Sequence, residues 1–111
     1  MNDGKQLHTD AIRLSPEDNV ATVLRPIDPG EQVRVQCGTT MTTMLAAEPI
    51  PLCHKISLSA VAAGGVVVKY GEPIGTASTT IVAGAHVHVH NMQSARARAG
   101  MGTGGPWPVR G

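Results

Sequence analysis

Three of the five histidines in this 111-residue chain fall in one short run, His86-Val87-His88-Val89-His90. Successive side chains on a strand point to opposite faces. The alternation therefore predicts Val87 and Val89 turned into a core, with His86, His88 and His90 lined up on the other side. Imidazoles two residues apart on a strand are rooted about 7 Å apart and can converge on one metal ion. A further ligand must come from elsewhere; His54 is the best placed, with Cys53 and Glu72 as lesser candidates. Imidazole suits Zn, Fe, Ni or Cu, and a mixed N/O set with open positions suits Fe(II). The competing reading is a polar strand face that carries imidazole and binds nothing.

Lys55 follows His54 after the extended Glu48-Pro49-Ile50-Pro51 segment and could hold a substrate carboxylate as a point charge; a solvated lysine is the plainer alternative. No nucleophile–base–orienter set, phosphate-cradling glycine loop or paired carboxylates can be picked out. A complete catalytic constellation is missing, so an enzymatic role would be a share in a larger site.

The elements that must position these residues read as short strands. Ala11–Leu14 and Val20–Leu24 flank a Ser15-Pro16-Glu17-Asp18-Asn19 turn cluster. Gln32-Val33-Arg34-Val35-Gln36 alternates cleanly, with Val33 and Val35 inward. Residues 39–45, rich in Thr and Met, are a strand or an extended loop. Val66–Tyr70 is the strongest strand by composition, residues 71–75 are expected to turn the chain, and Thr76–Ile81 is a further strand. Ser59–Ala63 has room for one or two helical turns at most. Pro29-Gly30, Ala63-Gly64 and Ala83-Gly84 share one signature, a small residue or Pro, then Gly, then two residues and Val, which predicts glycine turns feeding strands. The pattern is too short to establish a duplicated domain. No helical period is sustained anywhere, so the expected class is all-β.

Composition agrees and excludes several functions. There is no Phe, one Tyr and one Trp, so the core must be aliphatic, and the net charge of +1 gives no electrostatic footprint for nucleic acid or an anionic membrane. Met1 to Asp10 is polar and no apolar run approaches membrane-spanning length, which predicts a cytoplasmic protein. Cys37 and Cys53 are expected as free thiols, buried as small hydrophobes rather than acting as ligands. Residues 1–9 read as a flexible tail, 10–93 as one domain, and 94–111 as a flexible Gly/Arg/Pro-rich tail, with Trp107 as an anchor if that tail docks on a partner.

Cys53-His54-Lys55-Ile56-Ser57-Leu58, Ala63-Gly64, Val68-Lys69-Tyr70-Gly71-Glu72-Pro73-Ile74-Gly75 and Ala83-Gly84 through His88-Val89-His90-Asn91 resemble, in this order and spacing, the SAF domain of the altronate/galactarate dehydratase family. The resemblance covers residues 10–93. It implies a β-clip fold of short bent strands, and a small subunit whose large dehydratase partner carries most of a metal-assisted loss of water from a sugar acid. It extends to the small subunit of sulfolactate sulfo-lyase, which implies a sulfolactate-like substrate as the alternative. The implied cofactor is a divalent metal, usually Fe(II). His88 and His90 are then the candidate catalytic residues, His54, His86, His88 and His90 the candidate metal ligands, and Lys55 and Lys69 the candidate substrate ligands. Cys53 departs from the family, which commonly has Gly before the histidine. Association of the isolated chain with itself stays open, and a non-catalytic binding or assembly module on a β-clip scaffold is the alternative function.

Overall fold

The computed structural model describes residues 8–94. The strands are β1 (Ala11–Ile12), β2 (Val20–Val23), β3 (Gln32–Cys37), β4 (Thr40–Leu45), β5 (Lys55–Ser57), β6 (Val66–Lys69), β7 (Glu72–Ala77), β8 (His86–Val87) and β9 (Met92–Ser94). They form a six-stranded sheet in the order β4-β3-β1-β2-β5-β8 and a three-stranded sheet in the order β9-β7-β6. Only β1 with β3 is parallel. No helix occurs among the described residues, and so none long and apolar enough to cross a membrane. The all-β expectation holds, and residues 59–63 carry a bend and the bridging Val61 instead of a helix. The two tails, Trp107 included, lie outside the described residues.

One hydrogen-bonded unit, used four times, explains how so few aliphatic residues build the fold. Asp28–Glu31, Pro51–His54, Ala62–Gly65 and Val82–Ala85 are each closed by a bond from the fourth N–H to the first carbonyl, at 2.7–3.1 Å. The third residue in each lies in the left-handed region: Gly30, Cys53, Gly64 and Gly84 have φ of 83°, 71°, 85° and 86°. That residue's N–H bonds the carbonyl of a residue at or just past the end of a strand, and the N–H of that same residue bonds back to the carbonyl of the turn's fourth residue. The partners are Ala46, Val23, Ala77 and Ser57 respectively. Ahead of the turns stand Ile27, Ile50, Val61 and Ile81, all buried, bridged as Ile27 with Ile50 and Val61 with Ile81. The chain therefore runs strand, turn, hairpin, turn, strand twice. Residues 20–57 and 55–87 are the two passes, sharing β5.

Each pass packs mainly its own core. The first gathers Val23, Ile27, Val33, Val35, Ile50 and Ile56, and the second gathers Val61, Val67, Ala77, Ile81, Ala85 and Val87 with Val20. The sequence signature thus caught three of the four turns. The fourth escaped because Cys53 occupies the glycine position, where it keeps the same conformation as a residue with a Cβ. The corner placement also exposes its thiol, correcting the expectation of a buried one; Cys37 is half-buried and both are free. A side chain in the left-handed region costs about 1–2 kcal/mol. Cys53→Gly is therefore expected to stabilise the fold, by about 0.5–1 kcal/mol after the entropy glycine adds to the unfolded chain. Equilibrium urea unfolding checks it, and an unchanged or lower midpoint would contradict the account.

The second-pass hairpin also differs from expectation. Residues 71–75 do not turn the chain: the turn is Tyr70-Gly71 alone, with φ of 61° and 70°, which suits a two-residue hairpin, and Glu72 already pairs with Lys69. Pro73 is tolerated inside β7 because the register shifts there; it faces Val68, whose N–H bonds the Asn19 side chain instead. The further strand expected over 76–81 ends at Ala77. Residues 40–45 resolve as a strand paired along its length with β3.

Candidate metal and anion site

β5 and β8 close the two passes and run antiparallel, with Lys55 opposite Val87 and Ile56 opposite His86. Their preceding turns are thereby set side by side. His54 ends the Cys53 turn, and His86 follows the Gly84 turn. The equivalence of the two units is what brings His54 against a ribbon more than thirty residues away.

The ribbon itself is shorter than the alternation predicts. Val87 is fully buried, but Val89 is 79% exposed and the strand stops at Val87. The cause is Asn91, buried, whose side-chain oxygen accepts from the His88 N–H at 3.0 Å while its amide donates to the His86 carbonyl at 2.8 Å. The Asn91 N–H in turn bonds the His88 carbonyl at 3.1 Å. These bonds fold residues 88–91 into a turn, so Val89 points outward and the imidazoles gather by curling of the chain and not by strand alternation. Glu48 contributes from the loop after β4 by accepting from the His86 N–H at 2.9 Å.

The rings form one cluster. His54 Nδ1 and His86 Nε2 are 2.8 Å apart, so one carries the shared proton and the other accepts it. His54 stacks on His88 with centroids 4.1 Å apart, and His86 lies 5.6 Å from His88 and 5.0 Å from His90. One nitrogen from each of His54, His86 and His88 lies within 4.8 Å of the others. A first-row metal binds imidazole at about 2.0–2.1 Å, so ligand nitrogens around one ion sit about 3–3.5 Å apart. The set fits in number and chemistry, and half-exposed side chains need only small shifts to close on an ion. His90 lies outside this three-nitrogen group and is more exposed. Neither Cys53 nor Glu72 belongs to it.

Electrostatics disfavour the charged form of two of these rings, His86 and His88. Burial, then the neighbouring His90, His54 and His88, push His86 below its ordinary value of 6.5, against a small opposing pull from Glu48. Burial, then His54, Lys55 and His90, push His88 down likewise. Burial and then the Lys69 ammonium lower Lys55. Neutral imidazoles present free lone pairs, the form a metal needs. The unfolded chain takes up protons at these positions near pH 6.5 and the folded chain resists them. Their contribution to stability is therefore complete above that value, falls as pH drops below it, and levels off once pH passes the depressed folded values. Denaturation midpoints of the metal-free protein are expected to be flat between about pH 7 and 8 and to decline toward about pH 5, and to decline less in His88→Gln.

The lysine pair completes the surroundings. Lys55 and Lys69 are both half-buried, and Lys69 Nζ lies 5.8 Å over the Tyr70 ring. The hairpin tip bearing Lys69 and Tyr70 is held by Asp18, which is 1% exposed and accepts from the N–H groups of Ser15 at 3.1 Å, Tyr70 at 3.0 Å and Gly71 at 2.7 Å. Asp18, Asn91 and Glu48 are the supporting residues that sequence reasoning missed. Their signal was available only as turn-type residues, without the distant backbone each one binds.

Comparison with known proteins covers the whole of this domain. A family model described as the altronate/galactarate dehydratase SAF domain matches residues 9–95. The altronate dehydratases of Escherichia coli K12 and Bacillus subtilis 168 are each 37% identical to this chain over 76 residues, which is 68% of the chain. The aligned part amounts to 14% of the length of either relative.

Proposed function

This chain belongs to the altronate/galactarate dehydratase SAF-domain family, and from that premise we propose that it is the small part of a sugar-acid hydro-lyase, lending an imidazole site that a much larger dehydratase part completes. The observation that carries the reading is the convergence of His54 with His86 and His88 from the two passes of the fold. Supporting it, the matched domain is a small fraction of the relatives that contain it, and the cluster lies half-exposed at the surface.

Loss of water from a hydroxy acid takes a proton from the carbon beside the carboxylate, expels the hydroxyl of the next carbon as water, and leaves an enol that relaxes to a keto acid. A divalent metal, Fe(II) being the ion expected, would supply Lewis-acid polarisation of the substrate oxygens. His54, His86 and His88 would hold it through ring nitrogens, and the surroundings of His86 and His88 disfavour their protonation. His90, whose ring lies 5.0 Å from that of His86 but outside the three-nitrogen group, would deliver a proton to the departing hydroxyl. The base that takes the carbon-bound proton belongs to the dehydratase part. The same division of labour would serve a carbon–sulfur lyase in which sulfite departs.

The test is keto-acid formation from altronate and galactarate by the dehydratase part with and without this chain. Activity is expected only with both, and a His88→Ala, His90→Ala double variant should lower it by about a hundredfold or more, as loss of a positioned proton donor and a ligand would. Full activity without this chain, or with the double variant, would leave an assembly module in place of a catalytic one.

A further inference from the structure

β4 ends the six-stranded sheet with its backbone uncovered. Alternate residues of an antiparallel strand turn their N–H and C=O toward a neighbour and away from it, and the bonds on either side of β3 decide which do which. The Arg34 and Gln36 carbonyls of β3 accept from the Asp10 and Arg13 N–H groups flanking β1, at 2.9 and 2.8 Å. Across the ladder, Arg34 stands opposite Thr43 and Gln36 opposite Met41. Met41 and Thr43 therefore aim both backbone groups away from β3, while Thr42 and Met44 face it. Ala46, of the same parity as those two, bonds Glu31 and Gly30 on the β3 side. Among the described residues nothing pairs with the outward groups of Met41 and Thr43; farther along, the Ala47 N–H meets the Gly84 carbonyl at 2.8 Å and closes the edge. Other edges are covered or short: the Asn19 side chain holds the Val68 N–H and the Val66 carbonyl on β6, Glu48 holds the His86 N–H on β8, and β9 has three residues. Natural edges carry Lys, Pro or a bulge against unwanted pairing. Residues 39–45, Thr-Thr-Met-Thr-Thr-Met-Leu, carry none of these; their register with β3 is unbroken, and residues 38–43 are exposed on both faces.

We propose that the Met41–Thr43 edge of β4 pairs antiparallel with the same edge of a second copy of this chain, making a reversible two-fold dimer. Met41 of each copy stands opposite Thr43 of the other, and each such pair exchanges both of its N–H···O=C bonds. Thr42 then faces Thr42 of the second copy, a cross-strand threonine pair of the kind that supports antiparallel ladders. Residues 39–45 hold no charged side chain. The two-fold therefore sets no like charges opposite one another, and a partner selected by charge finds nothing here to read. Strand and side chains together make an edge about 20 Å long and about 10 Å deep, well below the ~1,200 Å² of a standard stable interface. The dimer is accordingly weak, with a dissociation constant of about 10–100 µM. It stands independently of the hydro-lyase reading.

Sedimentation of the full chain from about 5 to about 500 µM should pass from monomer to dimer across that range of dissociation constants. Amide hydrogen exchange reads the edge itself. Thr42 and Met44, bonded to β3, are expected to be protected at every concentration, and Met41 and Thr43 only as the dimer forms. Met41→Pro removes a donor that the monomer does not use and half of the inter-copy bonds, so it should weaken the dimer more than about tenfold while Thr42 and Met44 stay protected. Thr43→Lys places a charge on the edge and should act alike, which serves should Met41→Pro fold poorly. A chain that stays monomeric throughout, or a dimer that both variants leave unchanged, would overturn the proposal. So would protection of Met41 and Thr43 in the monomer at every concentration, which would mean that this chain covers its own edge. Protection that arises only on adding the dehydratase part would assign the edge to a strand of that partner and overturn the second copy as occupant.

Discussion

Asp18→Ala is expected to destabilise the fold by about 3–5 kcal/mol, a large part of the 5–15 kcal/mol that holds a domain of this size together. Asp18 is 1% exposed, and its carboxylate collects three backbone N–H groups, one from nearby Ser15 and two from the distant hairpin tip. Removing it leaves Ser15, Tyr70 and Gly71 without acceptors, and water has poor access to replace it. Asp18→Asn keeps the volume and one acceptor oxygen but turns an amide NH2 toward donors, so its cost should fall between wild type and Ala. Thermal and urea unfolding measure both. The consequence reaches beyond stability, because Tyr70 and Gly71 are the turn that presents Lys69. At temperatures where Asp18→Asn is still folded, it should speed amide hydrogen exchange at Tyr70 and Gly71 while leaving Zn(II) binding intact. Loss of Zn(II) binding as well would mean that Asp18 supports the whole fold and not the hairpin tip.

That residue also marks where the sequence was legible and where it was not. Strand alternation placed Val33 and Val35 in the core correctly, because a half-buried strand writes its environment into every second residue. The same rule failed two residues past His86. There Asn91 competes for the backbone with its own side chain, and a single buried polar residue outweighs the pattern of two valines. The glycine turns were readable wherever glycine supplied the positive φ, and the Cys53 turn was not. Asp10, Asp18, Asn19 and Asn91 were read as turn chemistry or not at all. Each in fact ties backbone: Asp10 accepts from the Arg34 N–H as well as from the Arg25 guanidinium, and the Asn19 side chain accepts from the Val68 N–H and donates to the Val66 carbonyl. Such bonds follow no period and span up to 53 residues, so only the folded chain reveals them.

The candidate site was more legible than its scaffold. The histidines and lysines stand out by type, and the imidazoles do assemble, but the reason is the twofold use of one strand-and-turn unit. β5 and β8 occupy equivalent places in the two passes and pair with each other. A turn at the start of one strand is thereby fixed beside the turn at the start of the other. A site built at that junction draws ligands from both passes, and its geometry depends on the shared hydrogen-bond frame more than on any loop.

Metal affinity should expose that dependence most sharply. Removing one imidazole from a three-nitrogen set takes away a third of the donors to the ion, and His54→Ala, His86→Ala and His88→Ala are each expected to lower Zn(II) affinity by about a hundredfold or more. His90→Ala should change it less than about threefold, because its ring lies outside the group. His54 is the informative member. It sits on a different pass from the other two, so a His54→Ala effect as large as that of His88→Ala requires the junction to be closed in solution, whereas a ribbon binding metal through His86, His88 and His90 alone would spare it. Asn91→Ala gives the complementary result. It removes no ligand, but it frees the His86 carbonyl and the His88 N–H that the side chain holds, so affinity should fall with every imidazole still present. Calorimetric titration at pH 7.5 reads all five variants, and repeating it at pH 6 should weaken binding in the wild type, since protons then compete for the same nitrogens. An Asn91→Ala protein that folds and binds Zn(II) like the wild type would show that the cluster assembles without the turn that this asparagine enforces.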